Sequence, residues 1–139
     1  MSLSEFIQKI KKLSLPENSY VVFGSGPLLL RGIRGCDDID LLVSEEIYEK
    51  LKLGGWAEKT HCTEKNVLVN GIYEVGKDWV FGNYNPALGK LLATADRFEG
   101  VPFANLEEVL KWKTAYGRKK DHKDIMLIRK YFCKGKNCL

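Results

Sequence analysis

Tyr20-Val21-Val22-Phe23 is apolar throughout and runs directly into Gly24-Ser25-Gly26-Pro27. Four consecutive β-branched or aromatic residues favour a strand, and the glycines and Pro27 force the chain to turn before Leu28-Leu29-Leu30-Arg31 resumes as a short helix. A strand that ends this way needs a sheet to join, so the rest of the chain is read for its partners.

Upstream, Leu3, Phe6, Ile7, Ile10 and Leu13 recur at helical spacing behind Ser2 or Ser4 as cap, which predicts a helix over about residues 3 to 14, ended by Pro16. Downstream, Asp38 to Val43 reads as a second strand with Ile39, Leu41 and Val43 on one face, and Ser44-Glu45-Glu46 caps a helix to about residue 52. Short β-like runs follow at about 56 to 61, 66 to 70 and 72 to 75, with Asn70-Gly71 as a hairpin turn. Pro86 opens a helix to about Ala95, and Phe98 to Phe103 is a short extended piece. Asn105 and Glu108 make a capping box for a helix to about Tyr116, and Asp121 starts the last helix. This order predicts an α+β fold with a mixed β-sheet flanked by helices. No linker divides the 139 residues, so a single domain over 1–133 is expected, with 134–139 as a flexible basic tail.

Composition excludes several classes. Apolar residues at 45% and charged residues at 29% are those of an ordinary globular chain, and no apolar run approaches the roughly 20 residues needed to cross a bilayer. With no export signal at the N-terminus, a cytoplasmic protein without membrane contact is expected. Cys36, Cys62, Cys133 and Cys138 form no CxxC pair, which suits reduced thiols, and with His61 and His122 they lack zinc spacing. Each histidine stands alone, and neither is assigned a role.

The chemistry centres on acids. Asp38 and Asp40 lie two apart on a predicted strand and leave the same face, while Asp37 points the other way. Two like charges side by side raise the free energy unless a cation sits between them, and Mg²⁺ is the usual partner where oxygen ligands meet phosphates. The simpler alternative is a solvated strand edge. Against it stands the glycine-serine turn upstream, where a helix start offers amides to a phosphate. The turn lacks the third glycine of a dinucleotide fingerprint, and no Gly-Lys-Ser/Thr follows as in a P-loop.

Phe23-Gly24-Ser25, twelve intervening residues, and Asp38-Ile39-Asp40-Leu41 together resemble the signature of the polymerase-beta-like nucleotidyltransferase superfamily. The resemblance implies a nucleotidyltransferase fold. It also implies that the two aspartates hold Mg²⁺ (or Mn²⁺) against an NTP, with ATP the expected donor, while an acceptor hydroxyl attacks the α-phosphate and pyrophosphate leaves. The family's third carboxylate comes from a later strand. Glu74, in Gly71-Ile72-Tyr73-Glu74-Val75-Gly76, is the candidate, with Asp78 in reserve. Asp38, Asp40 and Glu74 are thus the expected catalytic and metal-binding set.

The last third is basic. Leu106, Val109, Leu110, Lys113 and Tyr116 share a helical face, so Lys113 interrupts an apolar stripe. Either it meets an anion, or its stem packs and the ammonium escapes to water. Gly117-Arg118-Lys119-Lys120-Asp121-His122-Lys123-Asp124-Ile125 resembles the Arg-x-Lys-Asp-x-x-Asp-Ile segment of many small nucleotidyltransferase-like proteins. Arg118 and Lys120 can reach a triphosphate, whereas Asp121 and Asp124 read as helix-start residues with a structural role. Gly24, Ser25, Arg31, Lys113, Arg118 and Lys120 form the expected nucleotide-binding set. Trp56, Trp79 and Trp112 read as core or edge aromatics rather than base-stacking platforms, with Trp79-Val80-Phe81, beside the presumed cleft, as the alternative contact for a nucleobase.

The expected function is therefore Mg²⁺-dependent nucleotidyl transfer to a hydroxyl on a small molecule, a protein or RNA. With no appended acceptor-binding domain visible, a homodimer or partner subunit is the expected source of acceptor contacts. The alternative is a non-catalytic nucleotide-binding, antitoxin or regulatory module on the same fold. A basic RNA-binding domain is suggested only by the cationic block and lacks interleaved aromatics.

Overall fold

Alternation along two short strands organises the molecule. In the computed structural model, which describes residues 1–60 and 65–134, strands β1 (Tyr20–Phe23) and β2 (Ile39–Val43) pair antiparallel, with Val22 opposite Leu41 and Phe23 opposite Asp40. Successive side chains leave opposite faces of a strand. Accordingly Val22, Ile39, Leu41 and Val43 pack into one apolar cluster, and Val21, Phe23 and Leu42 into a second on the other side. Both faces of the central sheet are therefore covered, as the unbroken apolar run of β1 requires.

The sheet of the described residues has seven strands in the order β3-β4-β5-β2-β1-β7-β6. On one side of the central pair, β5 (Tyr73–Gly76) runs parallel to β2, and β4 (Asn66–Asn70) and β3 (Ala57–Thr60) follow antiparallel. On the other side β7 (Val101–Phe103) is parallel to β1, with β6 (Asp96–Phe98) antiparallel at the edge. The sheet is mixed and the fold α+β, as expected. Asn70-Gly71 makes the β4–β5 turn, with Gly71 at a φ of 58°. The expected extended piece over 98–103 is instead a hairpin: Glu99 and Gly100 both adopt positive φ, the geometry of a two-residue turn, so the chain doubles back.

Helices α1 (Leu3–Lys11) and α3 (Glu45–Leu53) cover the first face with Phe6, Ile7, Ile10, Ile47 and Tyr48. Ser2 caps α1 by accepting from the Glu5 amide at 3.1 Å, and Ser44 caps α3 through the Ile47 amide at 3.3 Å. Helix α1 stops at Lys11 rather than near residue 14, because the Leu13 and Ser14 amides turn back onto Ile10 and Lys11 and Ser14 adopts a φ of 52°. The second face holds α4 (Leu88–Ala93), shorter than the expected 86–95, with α5 (Leu106–Tyr116) and α6 (Asp121–Cys133). Asn105 caps α5 by accepting from the Glu108 amide at 2.9 Å. Helix α2 (Gly26–Leu30) is the short helix after the glycine turn.

Among the described residues no helix is long and apolar enough to cross a membrane. Cys36 is a buried free thiol, but Cys133 is disulfide-bonded, so the expectation of reduced thiols does not hold there. His61, Cys62 and the tail beyond Lys134 lie outside the described residues.

Candidate functional site

The acids meet because of register. Strands β2 and β5 are parallel neighbours, and Asp40 stands directly opposite Glu74. Residues directly opposite in a ladder share a face, so the two carboxylates leave the sheet together into the same cleft. Burial, then the charge and hydrogen bond of Glu74, then the charge of Asp38, push Asp40 up to about 7, and Lys113 only partly offsets them. Asp38 is exposed at the mouth of the same cleft, and Cys36 Sγ donates to its carbonyl at 2.8 Å. Asp78, the reserve acid, is exposed and does not line the cleft; its carbonyl accepts from Lys65 Nζ at 3.3 Å.

The glycine turn closes one end. Gly24 has a φ of 63°, in the left-handed region where side chains are strained, and a Cβ built on it would overlap the Asp40 carboxylate. Only glycine leaves room for Asp40 there. Ser25 follows, with its Oγ accepting from Arg34 Nη2 at 2.8 Å.

The opposite wall comes from α5, α6 and the turn between them. Lys113 is buried and points inward, so its stem does not snorkel to water: Nζ lies 3.0 Å from Asp124 and 3.5 Å from Asp121. Arg118 donates to Asp121 from Nε at 2.8 Å and from Nη2 at 2.9 Å. Lys120, exposed, lines the rim. Burial tends to raise the Asp121 carboxyl, but the hydrogen bond from Arg118 and the charges of Lys113 and Arg118 outweigh it and hold it below its usual value. The floor is aromatic, with Trp79 and Trp112 centroids 5.4 Å apart and Phe81 4.3 Å from Tyr116.

Together these residues enclose a cleft of about 400 Å³. It gathers Gly24, Ser25, Asp38, Asp40, Glu74, Lys113, Arg118 and Lys120 of the residues singled out in the sequence. Arg31 is not brought there. Its guanidinium pairs with Asp96 and reaches the Tyr131 hydroxyl at 3.4 Å, on a separate surface by β6 and α6. Arg34 stands at the glycine turn instead. It and Lys65 are the cleft cations that sequence reasoning missed. Lys65 Nζ lies over the Phe81 and Trp79 rings, at 4.1 and 4.6 Å. The one available cue for Arg34 is its place in the short connection between the glycine turn and Asp38, which keeps it close to both.

Among the described residues no group of three His, Cys, Asp or Glu side chains is arranged as a ready metal cage. The donor set nonetheless suits Mg²⁺, which typically takes one or two carboxylates and fills its octahedron with water and substrate phosphate. Compared with known proteins, the chain matches no family model, no curated protein and no solved structure. The functional reading comes from the cleft itself.

Proposed function

We propose that the chain is a Mg²⁺-dependent nucleotidyltransferase of polymerase-beta-like type, moving a nucleoside monophosphate from an NTP to a hydroxyl acceptor. The observation that carries this reading is the Asp40–Glu74 pair, opposed across parallel strands beside Gly24, with Asp38 at the mouth. Two carboxyl groups pressed together and partly desolvated raise the free energy of the apoprotein when both ionise, and a divalent cation between them removes that cost. The strand arrangement also supports the nucleotidyltransferase fold: β1 delivers the glycine turn beside β2, and β5, parallel to β2, carries the third acid.

In this reading Asp40 and Glu74, with Asp38 at the mouth, would hold the metal, which when bound would neutralise phosphate charge and polarise the reacting phosphoryl group. The turn at Gly24-Ser25 and the cations Lys113, Arg118 and Lys120 take the triphosphate. The acceptor oxygen forms its bond to the α-phosphorus, the bond to the pyrophosphate leaving group breaks, and a cleft carboxylate, assigned here as Glu74, accepts the hydroxyl proton. The aromatic floor at Trp79, Phe81 and Tyr116 excludes water and offers apolar surface to a base.

The test is transfer of label from α-phosphate-labelled NTPs in Mg²⁺, followed by pyrophosphate release, with candidate acceptors and with the chain itself. Asp38→Asn with Asp40→Asn should abolish it. Transfer that persists in the double variant sinks the proposal, and nucleotide binding without turnover assigns a non-catalytic module instead.

A further inference from the structure

Five charged side chains alternate in sign along one wall of the cleft. Arg34 Nη1 lies 3.0 and 3.2 Å from the two Asp124 oxygens, Lys113 sits between Asp124 and Asp121, and Arg118 closes the row on Asp121. They come from four places: the segment before β2, α5, the α5–α6 turn and the first turn of α6. The two acids are almost sealed, their side chains 5% and 2% exposed, while the terminal cations are more exposed, Arg34 at 42% and Arg118 at 27%. All five line the cleft.

A helix-start carboxylate with a purely local role needs only its own amides. Here both oxygens of Asp124 also accept from the single Nη1 of a guanidinium in the segment before β2, whose Nη2 donates to Ser25 of the glycine turn. Arg and Lys lose much side-chain freedom when fixed, so a site that fixes them in advance spares the ligand that cost. Among the described residues the row sets three cations against two acids.

Building on the reading of this cleft as a triphosphate site, we infer that Arg34, Lys113 and Arg118 form a rail for the nucleotide's phosphate chain. Asp124 and Asp121 are the positioning residues that aim it. Arg34 thereby joins the phosphate ligands at the Ser25 end, and the class of ligand recognised is a linear polyphosphate rather than a single phosphate.

The sign of one effect decides the matter. If the acids merely lower the local potential, removing one strengthens anion binding. If they position the cations, removing one weakens it. Calorimetric titration of the full chain with inorganic tripolyphosphate, without metal, separates the two. Asp124→Asn should bind about tenfold more weakly than wild type although it carries one negative charge fewer. Equal or tighter binding overturns the inference.

Arg34 is exposed enough to change without unfolding the chain, so it keeps the test open if Asp124→Asn fails to fold. Arg34→Gln should lose about tenfold, and Arg34→Lys should recover only part, because an ammonium cannot fork between Asp124 and Ser25. Full recovery by lysine overturns the inference. Inorganic monophosphate should bind far more weakly than tripolyphosphate, and equal affinity again overturns it. A wild-type chain that binds tripolyphosphate but transfers no label refutes the proposed reaction and leaves the rail standing. One that transfers label but binds no tripolyphosphate does the reverse.

Discussion

The two sides of the cleft hold acids in opposite circumstances. On the sheet side, Asp40 faces Glu74, with Asp38 adding to the repulsion, and its carboxyl is pushed up to about 7. On the helix side, Asp121 and Asp124 are more deeply buried, yet every close neighbour shown is a cation or an amide. Burial alone therefore does not mark a functional acid. Acids balanced inside the fold are compensated where they stand, whereas acids left unbalanced in a cleft raise the free energy until a proton or a cation neutralises them.

The sharpest break of this contrast is catalytic. Asp40→Asn should lower label transfer by at least about 10³-fold, the scale of losing an essential charge at a reacting centre, with the thermal midpoint unchanged or raised by the relief of repulsion. A lowered midpoint would place Asp40 with the structural acids.

On the balanced side, Lys113→Met should destabilise the fold by about 3 kcal/mol in urea titration, since it strips the shared cation from two buried carboxylates. A change below about 1 kcal/mol would show that Arg34 and Arg118 suffice.

The two sides should also titrate in opposite directions. Asp40 binds its proton more tightly folded than unfolded, so its ionisation costs stability: that cost is absent below the unfolded value near 4 and grows as pH rises towards about 7. Asp121 is held low, so it contributes stability above its unfolded value that is lost as pH falls. The stability advantage of Asp40→Asn over wild type should therefore grow by roughly 2 to 3 kcal/mol between pH 4.5 and 8, read from urea midpoints at each pH, and added Mg²⁺ should shrink it. An advantage independent of pH would show that Asp40 is not held above its usual value.

Gly24→Ala should destabilise by about 2 kcal/mol, because a side chain there meets both an unfavourable φ and the Asp40 carboxylate. Gly55→Ala, at positive φ but with open space around it, isolates the backbone part of that cost. The smallest effect is expected for Arg31→Ala. Its pair with Asp96 is about one-third exposed and lies off the cleft, so transfer should stay within about twofold and stability within about 1 kcal/mol of wild type.

Much of the cleft was readable from local chemistry. The turn at Gly24-Ser25, the same-face pair Asp38 and Asp40, and Glu74 after the Asn70-Gly71 hairpin each follow from short-range rules of turns and strand alternation. Lys113 was readable as an anomaly in an apolar stripe, but its partners were not, because helix periodicity says which way a side chain points and not what waits there. Arg31 and Arg34 show the same limit: both are exposed cations in one short segment, and only the packing of α6 and β6 sends the first to Asp96 and the second to Asp124 and Ser25.

What the chain's order of residues determined by itself was most of the elements, the caps of α1, α3 and α5, and the chemical character of each face, since those depend on neighbours within a few positions. What the tertiary structure alone decided was the opposition of Asp40 to Glu74 and the charge row from Arg34 to Arg118. Both depend on which strand lies beside which and on where α6 docks, and such long-range pairings are settled by packing the whole apolar core at once.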